Sequence, residues 1–437
     1  MRASGGSVVA VVKNLAKALA SIYFRVPRGI QFGLDDVRTA CDRAGSPHLH
    51  VPVVHIAGTN GKGSVASMVA SVLRTAGYRV GLFTSPHLCR FAERIQIDGS
   101  PLDNDSLTSA LWQAIEVGPK LSFFETTFLA AMLAFRRLDV QVAVLEVGLG
   151  GRLDATNVVE HPTVTAVTRI ALDHMDKLGR TEEEIAAEKA AIAKQGVPMV
   201  LGPMSAQVDR VCREHALGTG ASEVLGVGRE IAIERLQGHA MRVALSLGSV
   251  ELRPSLLGAH QLENAAVAAA ICAAASGKLD RVDSKAIEKG IADAVWPGRL
   301  ERIRDEDGDV VLDAAHNPDG AQALAAYLRQ SEARGPQSTA LVFGAVADKS
   351  WKQMLSILAP LAEHRFYVEP GGRAGAPLVE MVETAGGTCE ADVPSALAAA
   401  RRSVGKHGLV VVAGSIFLAG NARCCLLRLD RDPPVAL

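Results

Sequence analysis

The twelve residues VVHIAGTNGKGS at 53–64 carry the densest chemistry in the chain. Val53, Val54 and Ile56 form a β-branched apolar run that reads as a buried strand. Gly58, Thr59, Asn60, Gly61, Lys62, Gly63 and Ser64 follow, and small and apolar residues at helical spacing continue from Ser64 to Ala76. Strand, glycine turn and helix together make an anion seat. Bare backbone N–H groups curl around a phosphate, and the positive end of the helix dipole faces it. Lys62 then neutralises the outer phosphates, and the Ser64 hydroxyl is placed to hold a magnesium ion. The pattern departs from GxxxxGK[ST], with Ile56 at the first glycine position and Gly63 directly after the lysine. The plain alternative is an ordinary strand-to-helix turn with a solvated lysine. Motif and context agree on a nucleotide site instead.

Polar residues near predicted strand ends extend this chemistry. Ser85 follows GLFT, Glu146 lies inside the apolar run VAVLEVGLGG, and His174 follows VTAVTRIALD. A carboxylate in such company is costly to bury unpaired, so Glu146 is expected to face a cation. With Ser64 these residues supply hydroxyl, carboxylate and imidazole groups around Mg²⁺, imidazole being an unusual donor for so hard an ion. Singly, each has a structural reading: a capped turn, a buried ion pair, a satisfied core histidine. Lys189 sits in EEEIAAEKAAIAK, where an i,i+4 ion pair is the ordinary expectation. Farther on, Asp313, His316 and Asn317 (VVLDAAHNPDG) lie just past a strand and could reach across a cleft. Arg299 could contact phosphate or brace a hinge, and the amide of Asn264 could pair with an adenine edge.

Alternating strands and helices must position these groups. Strands are expected at 79–84, 140–147, 164–170 and 198–201, and a helix at 123–138 whose apolar character predicts burial. Short antiparallel strands are expected across 226–252, and an alanine-rich helix at 260–275. A break at Ala294-Val-Trp-Pro-Gly298 precedes a second run of strands and helices. The fold class is therefore α/β: a P-loop-type, mostly parallel sheet domain over residues 1–295, then a smaller Rossmann-like α/β domain over 296–437.

With 437 residues, two domains are the prior. A net charge of −1 and 21% charged residues give no basic field for nucleic acid or a membrane surface. No apolar uncharged stretch reaches 18 residues. The first 34 residues contain basic but no acidic side chains, and Lys13 and Lys17 interrupt what a signal segment would keep apolar. The 7 cysteines are scattered and form no CxxC pair, so they are expected to be small buried hydrophobes of a cytoplasmic protein.

HIAGTNGKGS, TSPHLCRFAERIQIDG, LEVGLGGRLDATN, LDHMDKLGRTEEEIAAEKAAIAK, GAHQLENAAVA, WPGRLE and LDAAHNPDGA occur in this order. The set resembles the folylpolyglutamate synthase/dihydrofolate synthase branch of the Mur ligase superfamily over residues 14 to 420. That resemblance implies an ATP-dependent carboxylate–amine ligase. A substrate carboxylate is phosphorylated by ATP, and the acyl phosphate is attacked by the amine of L-glutamate. It implies a Mur-ligase-type central domain that binds ATP and a pterin, and a C-terminal ligase domain. ATP would lie on residues 58–64, with Asn264, Arg299, Asp313 and His316 at nucleotide-contacting positions. Ser64, Ser85, Glu146 and His174 would hold magnesium at two sites, and Lys189 would be a carbamylated lysine serving the second. Lys62, His174 and Lys189 would carry the catalysis. Ser122, Phe123, Phe124 and Glu125, with Leu153, Asp154 and Ala155, match the pteroate-binding segments, an aromatic ring giving the flat pterin a stacking face. Dihydropteroate or a reduced folate and L-glutamate would be the substrates of a monomeric enzyme. Ala191, Ala314 and Ser350 depart from the usual pattern without removing a catalytic group. A peptidoglycan Mur ligase, a P-loop kinase and a simple NTPase are the rival readings. The first typically carries a further domain before its phosphate loop, where this sequence has 57 residues before Gly58.

Overall fold

The computed structural model describes residues 14–25, 33–331 and 335–432. Eight strands form the large sheet: β1 (Val53–Ala57), β2 (Val80–Phe83), β3 (Ile95–Ile97), β4 (Ser100–Pro101), β5 (Val142–Glu146), β6 (Val164–Val167), β7 (Met199–Leu201) and β8 (Val224–Gly226). Their order is β4-β3-β2-β5-β1-β6-β7-β8. The strands from β2 to β8 in that order run parallel, and β3 and β4 are antiparallel at one edge. All five residues of β1 and of β5 are buried, as strands of a doubly covered sheet should be, with His55 and Glu146 the polar residues among them. From β1 the chain crosses to β2 and returns through β5, and β6 lies on the other side of β1. The carboxyl end of β1 is thus the point where the sheet's winding reverses, which is where such sheets collect ligands.

Two helices close one face over that point. Lys62–Thr75 and Ala259–Ala275 pack with the sheet in one core that also takes Met241, Val243, Val250 and Leu252 from a three-stranded antiparallel meander. The meander consists of β9 (Ile233–Leu236), β10 (Ala240–Leu245) and β11 (Gly248–Leu252), which meets the expectation for this stretch. On the opposite face lies the helix Phe123–Arg137, most of it buried as its composition predicts.

A separate six-stranded sheet begins beyond the Trp296–Gly298 segment. It contains β12 (Glu301–Asp305), β13 (Gly308–Leu312), β14 (Thr339–Phe343), β15 (His364–Tyr367), β16 (Thr388–Cys389) and β17 (Leu409–Ala413), in the order β12-β13-β17-β14-β15-β16. Only β12 runs antiparallel. This is the second α/β unit expected from the restart of the pattern.

The cysteines depart from their expected role. Cys89 and Cys424 are disulfide-bonded between the two sheet units, with Cα atoms 6.3 Å apart, and Cys389 and Cys425 are exposed. Cys41, Cys212 and Cys272 are buried as expected. The pair is 335 residues apart in sequence, so no spacing signal could announce it. It forms because the helix Ile416–Leu427 docks on the loop after β2, where an added Cβ at Gly420 would collide with the Leu88 carbonyl.

Candidate active site

The turn after β1 is held open by its neighbours. Thr59 and Asn60 donate their backbone N–H groups to the Arg169 carbonyl at 2.8 and 3.2 Å, and Thr168 Oγ1 donates to the Asn60 carbonyl at 2.7 Å. Gly58 (φ 148°) and Gly61 (φ 87°) adopt conformations that disfavour side chains. A Cβ at Gly58 would strike Thr168, and one at Gly61 would strike the Asn264 amide. The helix Lys62–Thr75 begins at Gly61 with no side-chain cap, and Gly61, Lys62, Gly63 and Ser64 line the cleft. Uncapped first-turn N–H groups at the positive end of a 14-residue helix could seat an anion. The Lys62 ammonium is curled onto the turn, donating to the carbonyls of Gly58 (3.0 Å) and Thr59 (3.2 Å).

Glu146 ends β5, the strand beside β1, so its carboxylate falls next to this turn. It is 5% exposed and accepts the Ser85 N–H at 3.1 Å. Burial raises its pKa, while Lys62, the Ser85 N–H and Arg299 pull it back toward ionisation. Ser64 Oγ accepts from Gln261 Nε2 at 3.2 Å. His174 follows β6 in a left-handed conformation (φ 50°), and its pKa is pushed down to about 4, chiefly by burial, against the pull of Asp173. Lys189, 4% exposed, is lowered to about 7 by burial and by Lys62. The expected ion pair on its own helix is not formed: Ile185 and Ala186 stand four and three residues before it, Glu184 caps the helix start with Thr181, and Glu188 pairs with Arg152.

Among the described residues no three His, Cys, Asp or Glu side chains converge as a closed metal cage. Two hydroxyls, one buried carboxylate and one imidazole beside a phosphate seat suit Mg²⁺, which keeps waters and takes phosphate oxygens as ligands. The ammonium of Lys349 lies 3.3 Å from His174 Nε2 and 2.6 Å from Asp173 Oδ1, so a cation is at home there. The residues present fit the ion.

The opposite wall comes from the smaller unit. Asn60 and Asn317 exchange side-chain hydrogen bonds at 3.2 and 3.0 Å, and Asn60 also donates to Asp319 at 2.7 Å. His316 Nε2 lies 3.4 Å from Asp173 Oδ2, so His316 does reach across the cleft. Asp313 instead turns to the backbone, accepting the N–H groups of Leu300 and Ala315 at 2.9 Å each. The Arg299 guanidinium donates to the Gly298 carbonyl at 3.1 Å, and the Asn264 amide donates to Gln261 at 2.9 Å. Asn60, Asp173, Asn264, Arg299, Asp313, His316 and Asp319 line a single cavity of about 910 Å³.

The same cavity runs on to residues 122–125 and 153–155. Phe123 stacks on Tyr23 (centroids 5.4 Å apart, 13° between planes) and lies under the Arg94 guanidinium at 5.1 Å. Phe124 is half-buried against Phe83. Ser122 and Glu125 satisfy each other in a capping box at the start of Phe123–Arg137. Asp154 is committed to the N–H groups of Gly148, Leu149 and Thr156, which shapes the glycine-rich turn after β5. Leu153 and Ala155 flank it at the cavity wall.

Known proteins are similar to this chain in sequence and in fold. The Mur ligase middle domain matches residues 56–272, and the Mur ligase glutamate ligase domain matches residues 298–416. The dihydrofolate synthase/folylpolyglutamate synthase of Bacillus subtilis is 32% identical over 422 residues, covering 92% of this chain and 96% of that protein. The chain belongs to the dihydrofolate synthase/folylpolyglutamate synthase family of Mur ligases. A Halobacterium salinarum protein named as a probable bifunctional folylpolyglutamate synthase/dihydropteroate synthase is 39% identical over 87% of this chain, and this chain spans 48% of that protein's length. The structure of Escherichia coli FolC in complex with DHPP and ADP superposes with a TM-score of 0.87 at 30% identity, covering 95% of this chain and 98% of that one.

In this folylpolyglutamate synthase-family chain the middle-domain match holds the phosphate turn, Ser85, Glu146, His174 and Lys189, and the ligase-domain match holds Arg299, Asp313 and His316. Sequence reasoning missed Asp173, Lys349, Arg94 and Gln261, which all line the cavity. Asp173 sits directly before His174 and could have been read with it. Arg94, 3% exposed, looks like any surface arginine in FAERIQIDG.

Proposed function

We propose that this cavity joins L-glutamate to a pteroate-type carboxylate, with dihydropteroate and reduced folates both accepted. The chain is an ATP-dependent ligase, and glutamate ligation to folates is the activity of its family. One observation carries the detailed reading: a phosphate turn, a buried carboxylate, a neutral imidazole and a buried amine share one continuous cavity with an aromatic wall.

In this reading the triphosphate lies on the N–H groups of residues 58–64, with Lys62 swinging from its own turn to the outer phosphates. Magnesium, when bound by Ser64, Ser85, Glu146 and His174, supplies the charge that the phosphate oxygens need neutralised. Lys189 serves the same end. With its pKa near 7 the amine is largely free to add CO₂, and burial gives the resulting carbamate a cationic neighbour in Lys62. A substrate carboxylate oxygen attacks the γ-phosphorus, the bond to ADP breaks, and an acyl phosphate forms. The amine of glutamate then attacks the acyl carbon, loses a proton, and phosphate leaves as the amide bond closes. The wall of Asn317, His316 and Asp319 shuts the cleft against water, which would otherwise hydrolyse the acyl phosphate. The pterin ring lies near Phe123 and Phe124, beyond the capping box of Ser122 and Glu125. Arg299, Asp313 and Asn264 border the nucleotide.

The test is to incubate the purified chain with ATP, Mg²⁺ and labelled glutamate, offering dihydropteroate or a reduced folate in turn, and to read the products by mass. Addition of one glutamate residue to each acceptor, with stoichiometric ADP, is expected. ADP release that ignores glutamate favours a kinase or NTPase and overturns the assignment.

A further inference from the structure

Lys349 belongs to the smaller unit, and its place is fixed by a built turn. Its N–H donates to the Val346 carbonyl at 3.1 Å, its carbonyl accepts from Trp351 at 2.8 Å, and neighbouring Asp348 is paired with Arg373 at 2.9 Å. The side chain is 9% exposed and crosses to the larger unit. There the ammonium meets Asp173 Oδ1 at 2.6 Å and His174 Nε2 at 3.3 Å. The other oxygen of Asp173 faces His316 at 3.4 Å, so two cationic or donor groups of the smaller unit grip one carboxylate of the larger.

An ammonium carries three protons and no lone pair, so it can only donate. The contact therefore requires a lone pair on His174 Nε2, with the ring proton on Nδ1. That lone pair is the one a divalent cation at His174 would use. Ammonium and metal cannot share it.

We infer that Lys349 is a resident counter-cation at the His174 metal position, displaced when a divalent ion binds there. The inference rests on the metal site proposed above. Until displaced, the ammonium keeps His174 in the tautomer a metal needs and ties the two units through Asp173. When the ion arrives, the flexible four-carbon stem of Lys349 lets the ammonium leave His174 while Asp173 remains within reach. Metal loading and the seating of the smaller unit are then linked, each altering the equilibrium of the other.

The experiment is a Mn²⁺ titration of the full chain with ADP present at a fixed saturating concentration. Free Mn²⁺ is read by electron paramagnetic resonance, and histidine coordination by the nitrogen modulation of the spin echo. Modulation in the parent that vanishes in His174→Ala identifies the site. Lys349→Met should tighten the modulated Mn²⁺ population by about tenfold, because a like charge has been removed from contact distance. Lys349→Arg, which keeps the charge, should stay within about twofold of the parent. Lys349→Gln is expected to behave as Lys349→Met and replaces it if that variant is insoluble. Unchanged or weaker binding in the neutral variants overturns the displacement and leaves the metal site standing. Absence of nitrogen modulation in the parent overturns the metal site and the inference together.

Discussion

Replacing Lys189 by methionine should stabilise the ligand-free protein while disabling it. The amine is 4% exposed and its pKa is lowered from 10.5 to about 7, first by burial and then by Lys62. Between those values the unfolded chain holds a proton on this lysine that the folded chain has given up. The unfolded state therefore binds more protons, and stability rises with pH across that window. Giving up that proton costs the folded state about 4 kcal/mol at about pH 7, and only about 1 kcal/mol of that cost remains at about pH 9.5. Methionine has nearly the same length and no charge to lose. Urea unfolding of parent and Lys189→Met, in CO₂-depleted buffer with chelator and no nucleotide, should show a gain of a few kcal/mol at about pH 7 that shrinks toward about 1 kcal/mol at about pH 9.5. If Lys189 carries the carbamate of the proposed function, turnover should fall by about 10²-fold or more. A loss of stability at the lower pH, or a gain equal at both, refutes the view of Lys189 as a neutral buried amine.

Other perturbations probe separate parts of the cavity. Phe123→Ala removes a ring that is 8% exposed and stacked on Tyr23. It should cost about 3–5 kcal/mol in unfolding free energy and raise the KM for the pterin substrate far more than that for ATP. Asn60→Ala deletes the amide exchange with Asn317 and the bond to Asp319. A loosened cleft should follow, seen as a larger radius of gyration by X-ray scattering and a several-fold higher ATP hydrolysis without glutamate. His174 is held down to about 4, with burial as the main cause, so it stays neutral through the physiological range and protonates only below that value. A profile of kcat/KM against pH should therefore lack an acid limb near about 6.5. A limb there that vanishes in His174→Gln contradicts the site as described.

Much of the larger unit was legible because its demands are local. A phosphate turn needs glycine where φ is positive, and Gly58 and Gly61 stand at those positions. The strand before it carries the apolar residues Val53, Val54 and Ile56, and the helix from Phe123 announces itself through its long apolar run, while its Ser122–Glu125 capping box went unread. Glu146 stood out as a carboxylate that an apolar strand could not hold without a reason. What escaped depends on docking between distant segments. Lys349 meets Asp173 across 176 residues, Asn317 meets Asn60 across 257, and Cys89 meets Cys424 across 335. Such pairs carry no periodicity and no spacing. Lys189 was legible in place but not in state, because its burial follows from the fold around it and not from its own acidic helix.

The central claim is that a substrate carboxylate is made reactive by taking phosphate from ATP. It is tested most directly by labelling both carboxylate oxygens of the acceptor with ¹⁸O and analysing the inorganic phosphate released on glutamate addition. The account predicts phosphate carrying one ¹⁸O atom from the acceptor for every amide bond formed. Unlabelled phosphate released alongside amide product would contradict it.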